Sequence, residues 1–475
     1  LTYRKGELLQ LTITDLAEKN KCYAKTEDGI SVFVQGLLAI GDKVQAQIYK
    51  VKKNYIEARV QEILSYSKDR VEPRCQYFGV CGGCKWQHIS YAAQLKLKEK
   101  QVQDALVHIG GFKEIQVDRA KTAGSVFYYR NKIEFSFSDS RYLMPSELEQ
   151  EELVKPKTFA LGFHAPGRYD KVLDVEDCFI AHPDMLEVLH VVKQFSFENK
   201  LSAYSTKDHQ GFMRNLVIRR GEYSKEMMVN LVTSSYEPQL MAGLCEALQN
   251  RLGERLTTLV NNISTRANNV AFGQEEHVIY GKGVIKEHLG DFSFNISANS
   301  FFQTNSSQAK ALYNTVIKLA QLNPNDIVYD LYCGTGSISQ YISNHCQKVF
   351  GIELIESAVK DAESNAEMNG ITNCRFKELD LKSFKDILPE LQHFGMPDVV
   401  ITDPPRAGMH PKAVKTLLQL NPKTIIYVSC NPASLARDGQ LLCEENAYKL
   451  TEVVPVDMFP HTNHIESVAR FERID

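Results

Sequence analysis

The chain has 475 residues, 43% of them hydrophobic and 24% charged, which is too long for one core and ordinary for a soluble multidomain protein. A formal net charge of −3 excludes a strongly basic nucleic-acid binder, and no apolar run reaches the ~18 residues of a membrane span. Eleven cysteines without a secretion-type leader lead us to expect a reducing cytoplasm, where thiols are free, metal-bound or catalytic.

Charge is unevenly distributed. Residues 1–134 carry 22 Lys+Arg against 15 Asp+Glu, and the remainder 33 against 43. A basic front half suits an anionic partner, although a solvated charged face gives the same count. Residues 1–65 hold short alternating runs (Glu7–Ile13, Gly29–Val34, Gly41–Ile48) separated by turn signals, the pattern of a small antiparallel barrel. A cysteine cluster follows, Cys75-x5-Cys81-Gly-Gly-Cys84, and then a helical stretch from Tyr91 to Ile109. On spacing alone a zinc site and a four-iron cluster both remain open, since only one C-x2-C unit is present.

From about 124 to 290 strands dominate, among them Tyr129–Phe137 and Phe212–Arg219, with Arg141–Lys157 expected as a charged surface loop. Arg130 and Lys132 in the first of these strands are expected either to meet an anionic partner or to pair with neighbouring acids. Beyond Asp326 strands alternate with helices: Asp326–Cys333, Lys348–Leu354, Cys374–Asp380, Asp398–Pro405, Thr424–Cys430, Leu450–Met458 and His464–Arg473. Apolar strands with crossover helices predict a doubly wound, mostly parallel sheet that binds ligands beyond its carboxyl edge. The expected domains are residues 1–65, 66–290 and 291–475.

Several chemistry-bearing residues fall at that edge. Gly334-Thr335-Gly336 follows the first strand, and Glu353 ends the next about 20 residues on, where a carboxylate can accept both ribose hydroxyls. Ile338 and Ser339 stand where a dinucleotide site needs its third glycine, so an adenosine ligand without a pyrophosphate fits better, S-adenosylmethionine being the common one. Asp403-Pro404-Pro405-Arg406 ends the fourth strand, in a place where amino-group methyltransferases carry an aromatic after their prolines. Cys430 ends the fifth strand, and Pro460–Glu466 brings a carboxylate towards the same rim. A thiol and a carboxylate together are the nucleophile and base of a conjugate addition followed by proton removal.

The segments 297–305 (SANSFFQTN), 330–336 (DLYCGTG), 403–406 (DPPR), 429–438 (SCNPASLARD) and 456–466 (VDMFPHTNHIE) resemble those of the RNA uracil-C5 methyltransferases. With the front half included, the chain is similar to the 23S ribosomal RNA branch, which carries a TRAM barrel and an iron–sulfur cluster. That resemblance implies a class I methyltransferase fold with a seven-stranded sheet and a central mixed α+β domain. It implies Cys430 as nucleophile and Glu466 as general base, with Gln303, Tyr332, Ser337, Glu353, Asp380 and Asp403 lining S-adenosylmethionine. It also implies a [4Fe-4S] cluster on Cys75, Cys81, Cys84 and Cys178. The implied substrate is a flipped or unpaired uridine of 23S ribosomal RNA, with transfer RNA as the alternative and a monomer as the acting form. A non-catalytic ribosome-assembly RNA-binding protein is the reading from another class, and the presence of Cys430, Glu466 and Asp403 speaks against it. Cys22, Cys245, Cys346, Cys374 and Cys443 are expected in cores, His410 as a local hydrogen-bonder, and Phe301 and Phe302 as core aromatics.

Overall fold

The structure is a computed structural model that describes residues 3–17, 21–267, 273–382 and 388–474. Its contacts divide the chain into two compact units, Leu1–Leu97 with Pro460–Asn463, and Lys98–Phe459 with His464–Asp475.

In the first unit, six strands form one sheet: Leu8–Thr12, Asp15–Ala17, Lys21–Lys25, Ser31–Gln35, Lys43–Val51 and Tyr55–Ser65. The sequence alternation reappears as alternate burial, so Val44, Ala46 and Ile48 point inward from one strand. All neighbours run antiparallel except Ser31–Gln35 and Tyr55–Ser65, which pair in parallel. Cys22 sits in this core, its thiol pushed up to about 12 by burial. A fully buried carboxylate, Asp42, closes the sheet: it accepts from the backbone N–H of Ala39 and Ser67 and from the Arg70 guanidinium. The chain beyond, through Ser90, has no helix or extended strand and carries Cys75, Cys81 and Cys84 at half-buried positions.

The second unit holds two large sheets. The first has eight strands, in the order Glu275–Tyr280, Leu256–Ile263, Met227–Thr233, Met213–Arg220, Lys132–Ser138, Ala160–Ala165, Arg168–Asp174 and Arg141–Tyr142. Helices Pro183–Glu198 and Pro238–Leu252 pack against it. The expected surface loop beginning at Arg141 is more ordered than its charge suggested: Arg141 is buried, bonds the carbonyls of Lys155 and Pro156, and pairs with Glu147. A buried guanidinium is tolerated because its donors are matched inside.

The second sheet has seven strands, in the order Cys374–Glu378, Lys348–Glu353, Ile327–Leu331, Val399–Thr402, Thr424–Ser429, Glu466–Arg473 and Tyr448–Val456. The first five run parallel, and the last two are antiparallel additions. Val399–Thr402 and Thr424–Ser429 are buried at every position, as strands covered on both faces must be. Two neighbouring elements join this half. The expected boundary at 290/291 falls in the turn of the hairpin Val284–Leu289/Phe292–Ser297, whose Ile285, Leu289, Phe294 and Ile296 share a core with the seven-stranded sheet. Val102 and Leu106, late in helix Tyr91–His108, enter the core on the sheet's other face.

Candidate active site

The parallel strands deliver their last residues to one edge. Leu331 pairs with Ile352 and Thr402, and Glu353 with Glu378, so Tyr332, Glu353, Asp380 and Asp403 all emerge at that level. Tyr332 turns the chain with a positive φ of 63°, a conformation held at cost outside glycine, and Gly334 and Gly336 continue the turn at 54° and 72°. A Cβ on Gly336 would lie 2.7 Å from the Phe376 ring, whereas one on Gly334 would meet nothing within 4 Å. Gly336 therefore serves packing, and Gly334 leaves backbone open to a ligand. Glu353 locks the turn, accepting the Gly334 N–H at 3.0 Å on one oxygen and the Leu354 and Ile355 N–H groups on the other.

Beneath the turn lies Asp330, wholly buried, with one oxygen accepting the Ser339 hydroxyl and the other without a partner. Burial pushes its carboxyl up to about 7. Ser337 opens helix Ser337–Ile342 and shares a 2.8 Å hydrogen bond with the Tyr313 hydroxyl. Gln303 is buried, its carbonyl accepting from the Asn131 amide, which also donates to Ser306. Asp380 is half-buried and accepts the Lys382 N–H.

Cys430 and Glu466 come from adjacent antiparallel strands. Ser429 pairs with Ser467, which leaves Cys430, just past its strand, and Glu466, the first residue of its own, as neighbours at one end of the pair. Cys430 is half-buried at the strand end, just before helix Pro432–Leu442, whose cap Asn431 accepts the Ala433 N–H and donates to the Arg406 carbonyl. Burial, then Glu466 and Asp403, push the Cys430 thiol up to about 11, against the opposing pull of Arg406. Glu466 is only 5% exposed, and burial together with Asp403 raises it to about 8. Asp403, whose N–H reaches the Leu331 carbonyl, is raised to about 7 by burial and by Asp330. The site thus holds its protons near neutrality, as a cluster of acids out of water must.

The loop after Asp403 is tied to the helix after Cys430 by Asp438, a residue the sequence did not single out. Fully buried, it accepts from the Tyr427 hydroxyl, the Met409 N–H and the Arg437 guanidinium. His410 caps helix Pro411–Leu420, the local role expected of it. Phe302 is core, but Phe301 is 66% exposed and corrects its expected burial: it follows the Ser297–Ser300 turn, which directs successive side chains to opposite sides. Arg130 Nε donates to the Lys132 carbonyl, and Lys132 lies directly opposite Arg219. Burial, then Arg219, hold the Lys132 amine down to about 8.

Around the cysteine segment, Cys81 Sγ accepts the Gly83 N–H at 3.4 Å, and the Lys85 and Trp86 N–H groups both bond the His461 carbonyl. Gln94 grips His461 as well, accepting its N–H at 2.8 Å and meeting its Nδ1 at 3.1 Å. Among the described residues, no three His, Cys, Asp or Glu side chains are gathered as a metal site. Cys178 is half-buried in the second unit.

Family models match twice: a TRAM domain over residues 4–61 and "tRNA (Uracil-5-)-methyltransferase" over 223–474. An uncharacterized RNA methyltransferase of Chlorobaculum tepidum is 53% identical over 100% of this chain and 98% of its own. Another, from Porphyromonas gingivalis, is 38% identical over 98% and 99%. The crystal structure of the Pyrococcus abyssi tRNA (uracil-54, C5)-methyltransferase in complex with S-adenosyl-L-homocysteine superposes with a TM-score of 0.73 at 29% identity, covering 97% of this chain and 99% of that one. With a TRAM domain at its front and the methyltransferase family model matched over residues 223–474, the chain belongs to the S-adenosylmethionine-dependent RNA uracil-C5 methyltransferase family.

Proposed function

We propose that the enzyme methylates carbon 5 of a uridine in 23S ribosomal RNA, with Cys430 as nucleophile and Glu466 as general base. The observation that supports the chemistry is the end of the strand pairing at Ser429 and Ser467, which leaves Cys430 and Glu466 as neighbours close enough for Glu466 to raise the Cys430 thiol. Carbon 5 of uracil is too weak a nucleophile to attack a methylsulfonium unaided. Addition of the Cys430 thiolate to carbon 6 moves an electron pair onto carbon 5, which takes the methyl group. Glu466 then removes the carbon-5 proton, and the electron pair of that C–H bond restores the double bond as the thiolate leaves. S-adenosylmethionine supplies the electrophilic methyl group when bound. Gln303, Tyr332, Ser337, Glu353, Asp380 and Asp403 would hold it, Glu353 being already fixed by three backbone N–H groups. The uridine must leave its stack to reach a half-buried thiol.

What supports the ribosomal substrate is the resemblance to the branch that joins a TRAM barrel to a cysteine cluster, here Cys75, Cys81, Cys84 and Cys178. Transfer RNA is the second reading, favoured by the likeness to a tRNA (uracil-54, C5)-methyltransferase along nearly the whole chain. Labelled methyl transfer to 23S ribosomal RNA and to bulk transfer RNA, followed by nucleoside analysis, separates them. 5-Methyluridine in the ribosomal RNA alone is expected, and its appearance only in transfer RNA overturns the assignment.

The same four cysteines would bind a [4Fe-4S] cluster. The support is chemical: all are thiols, three lie on irregular chain, and the N–H···S bond at Cys81 is of the type that tunes cluster sulfurs, while among the described residues the structure does not gather them as a metal site. About four iron and four sulfide per chain after anaerobic purification are expected, whereas zinc or no metal refutes the cluster.

A further inference from the structure

Lys98 is wholly buried on helix Tyr91–His108, and so is its partner Asp457, 359 residues away in sequence. Lys98 Nζ donates to Asp457 Oδ1 at 2.6 Å and to the Phe459 carbonyl at 3.0 Å. The same carboxylate oxygen accepts the Phe459 N–H, while the Asp457 N–H donates to the Lys121 carbonyl. From the other side, the Gln308 and Asn305 amides bond the carbonyls of Asp457 and Met458. Every polar group at the start of this turn is therefore tied down, apart from Asp457 Oδ2.

A charged pair is an unusual choice for such a place. Taking both charges out of water is costly, and an apolar pair of equal volume is often as stable or more so. Stability alone does not account for Lys98 and Asp457. What the pair supplies is direction, because a charged hydrogen bond fixes angle and distance where a methyl contact does not. The turn it fixes begins one residue after Val456 and ends at Glu466, and Val456 and Glu466 are themselves directly paired across the strands. Asp457 and Glu466 are thus the two feet of one turn.

The geometry points to Lys98 and Asp457 as a positioning pair that holds Glu466 at the angle required to take the carbon-5 proton. Neither residue touches substrate. The inference rests on the assignment of Glu466 as the base, and it is specific to the last step: addition and methyl transfer do not need Glu466 in place, whereas elimination does.

The test uses the full chain carrying Lys98→Met together with Asp457→Asn, which removes both charges at similar volume and leaves an amide oxygen to accept the Phe459 N–H. With S-adenosylmethionine and ordinary uridine-containing RNA, a methylated covalent enzyme–RNA complex should accumulate. Its breakdown should slow by about a hundredfold, the usual scale of a lost general base. Cofactor affinity and trapping on 5-fluorouridine RNA should stay as in the parent. Glu466→Gln is the control. If Glu466→Gln accumulates the complex and the double variant turns over normally, the positioning role is refuted alone. If Glu466→Gln itself turns over normally, the base assignment falls and takes this inference with it. A double variant that loses cofactor binding or adduct formation in proportion to turnover has only a structural role, which also refutes the inference. Should the double variant fail to fold, Lys98→Gln with Asp457→Asn, which also strands no buried charge, carries the same readouts.

Discussion

Alkylation of Cys430 gives a quantitative check on the electrostatics of the site. Its thiol is raised to about 11, first by burial and then by Glu466 and Asp403, with Arg406 opposing. An exposed thiol titrates near 8.5, so at pH 8 the Cys430 thiolate is scarcer by roughly two orders of magnitude. The thiolate is intrinsically more nucleophilic at higher pKa, which returns about tenfold. Net alkylation by iodoacetamide should therefore run about tenfold slower than at an exposed cysteine, and the rate should climb about tenfold per pH unit up to pH 10. Peptide mapping of the timed reaction reads this at Cys430 itself. The variant Arg406→Met, which removes a cation that opposes the rise of the thiol, should slow the reaction further. Faster reaction at Cys430 than at exposed thiols, or a plateau already reached by pH 8, would refute the reasoning.

Three further outcomes follow from other parts of the structure. On the proposed roles, breakdown of the covalent complex should speed up as pH rises through about 8, and its formation should climb with pH towards about 11; Glu466→Gln should lose the first rise and keep the second, and a fall above neutrality in either would contradict the assignment. Burial raises the Asp42 carboxyl, but Arg70 and two backbone N–H groups outweigh that and hold it below the usual carboxylate range, so the stability it contributes is present at neutral pH and lost as pH falls below that range through its own lower titration. Asp42→Ala should cost about 2–4 kcal/mol in a urea melt followed by the fluorescence of Trp86, the only tryptophan, and an unchanged midpoint would refute this. Gly336→Ala places a Cβ 2.7 Å from Phe376 at a φ of 72°, which should cost at least about 1–2 kcal/mol and weaken S-adenosylmethionine binding in calorimetry; wild-type affinity would show that the turn is not needed as built.

Much of this site was legible before any coordinates. Strand ends in a parallel sheet gather at one edge, so reading Asp326–Cys333, Asp398–Pro405 and Thr424–Cys430 as strands already brought Tyr332, Asp403 and Cys430 together. Glu466 was legible for another reason, through the Pro460–Glu466 turn between the last two strands, whose antiparallel pairing only the structure supplies. The long-range ties were not legible. Lys98 with Asp457 and Gln94 with His461 are separated by 359 and 367 residues, and a lysine or glutamine on a helix looks solvent-facing until its partner is known. The same blindness explains Arg141, which reads as a loop charge and is buried, and Asn131, whose amide joins Gln303 to the central sheet. The boundary near 290 was set by the change to alternating strands and helices. A hairpin bridges that change because its apolar face packs on the second sheet.

The central claim is that Cys430 bonds covalently to carbon 6 of a uracil and that Glu466 frees the product. It is tested most directly by incubating the enzyme with S-adenosylmethionine and 5-fluorouridine-substituted 23S ribosomal or transfer RNA, then mapping any adduct by mass spectrometry. Fluorine cannot leave as a proton, so a methylated RNA adduct should be trapped on the peptide containing Cys430 and be absent from Cys430→Ala. An adduct on another residue, one that survives Cys430→Ala, or none with either RNA would contradict the account.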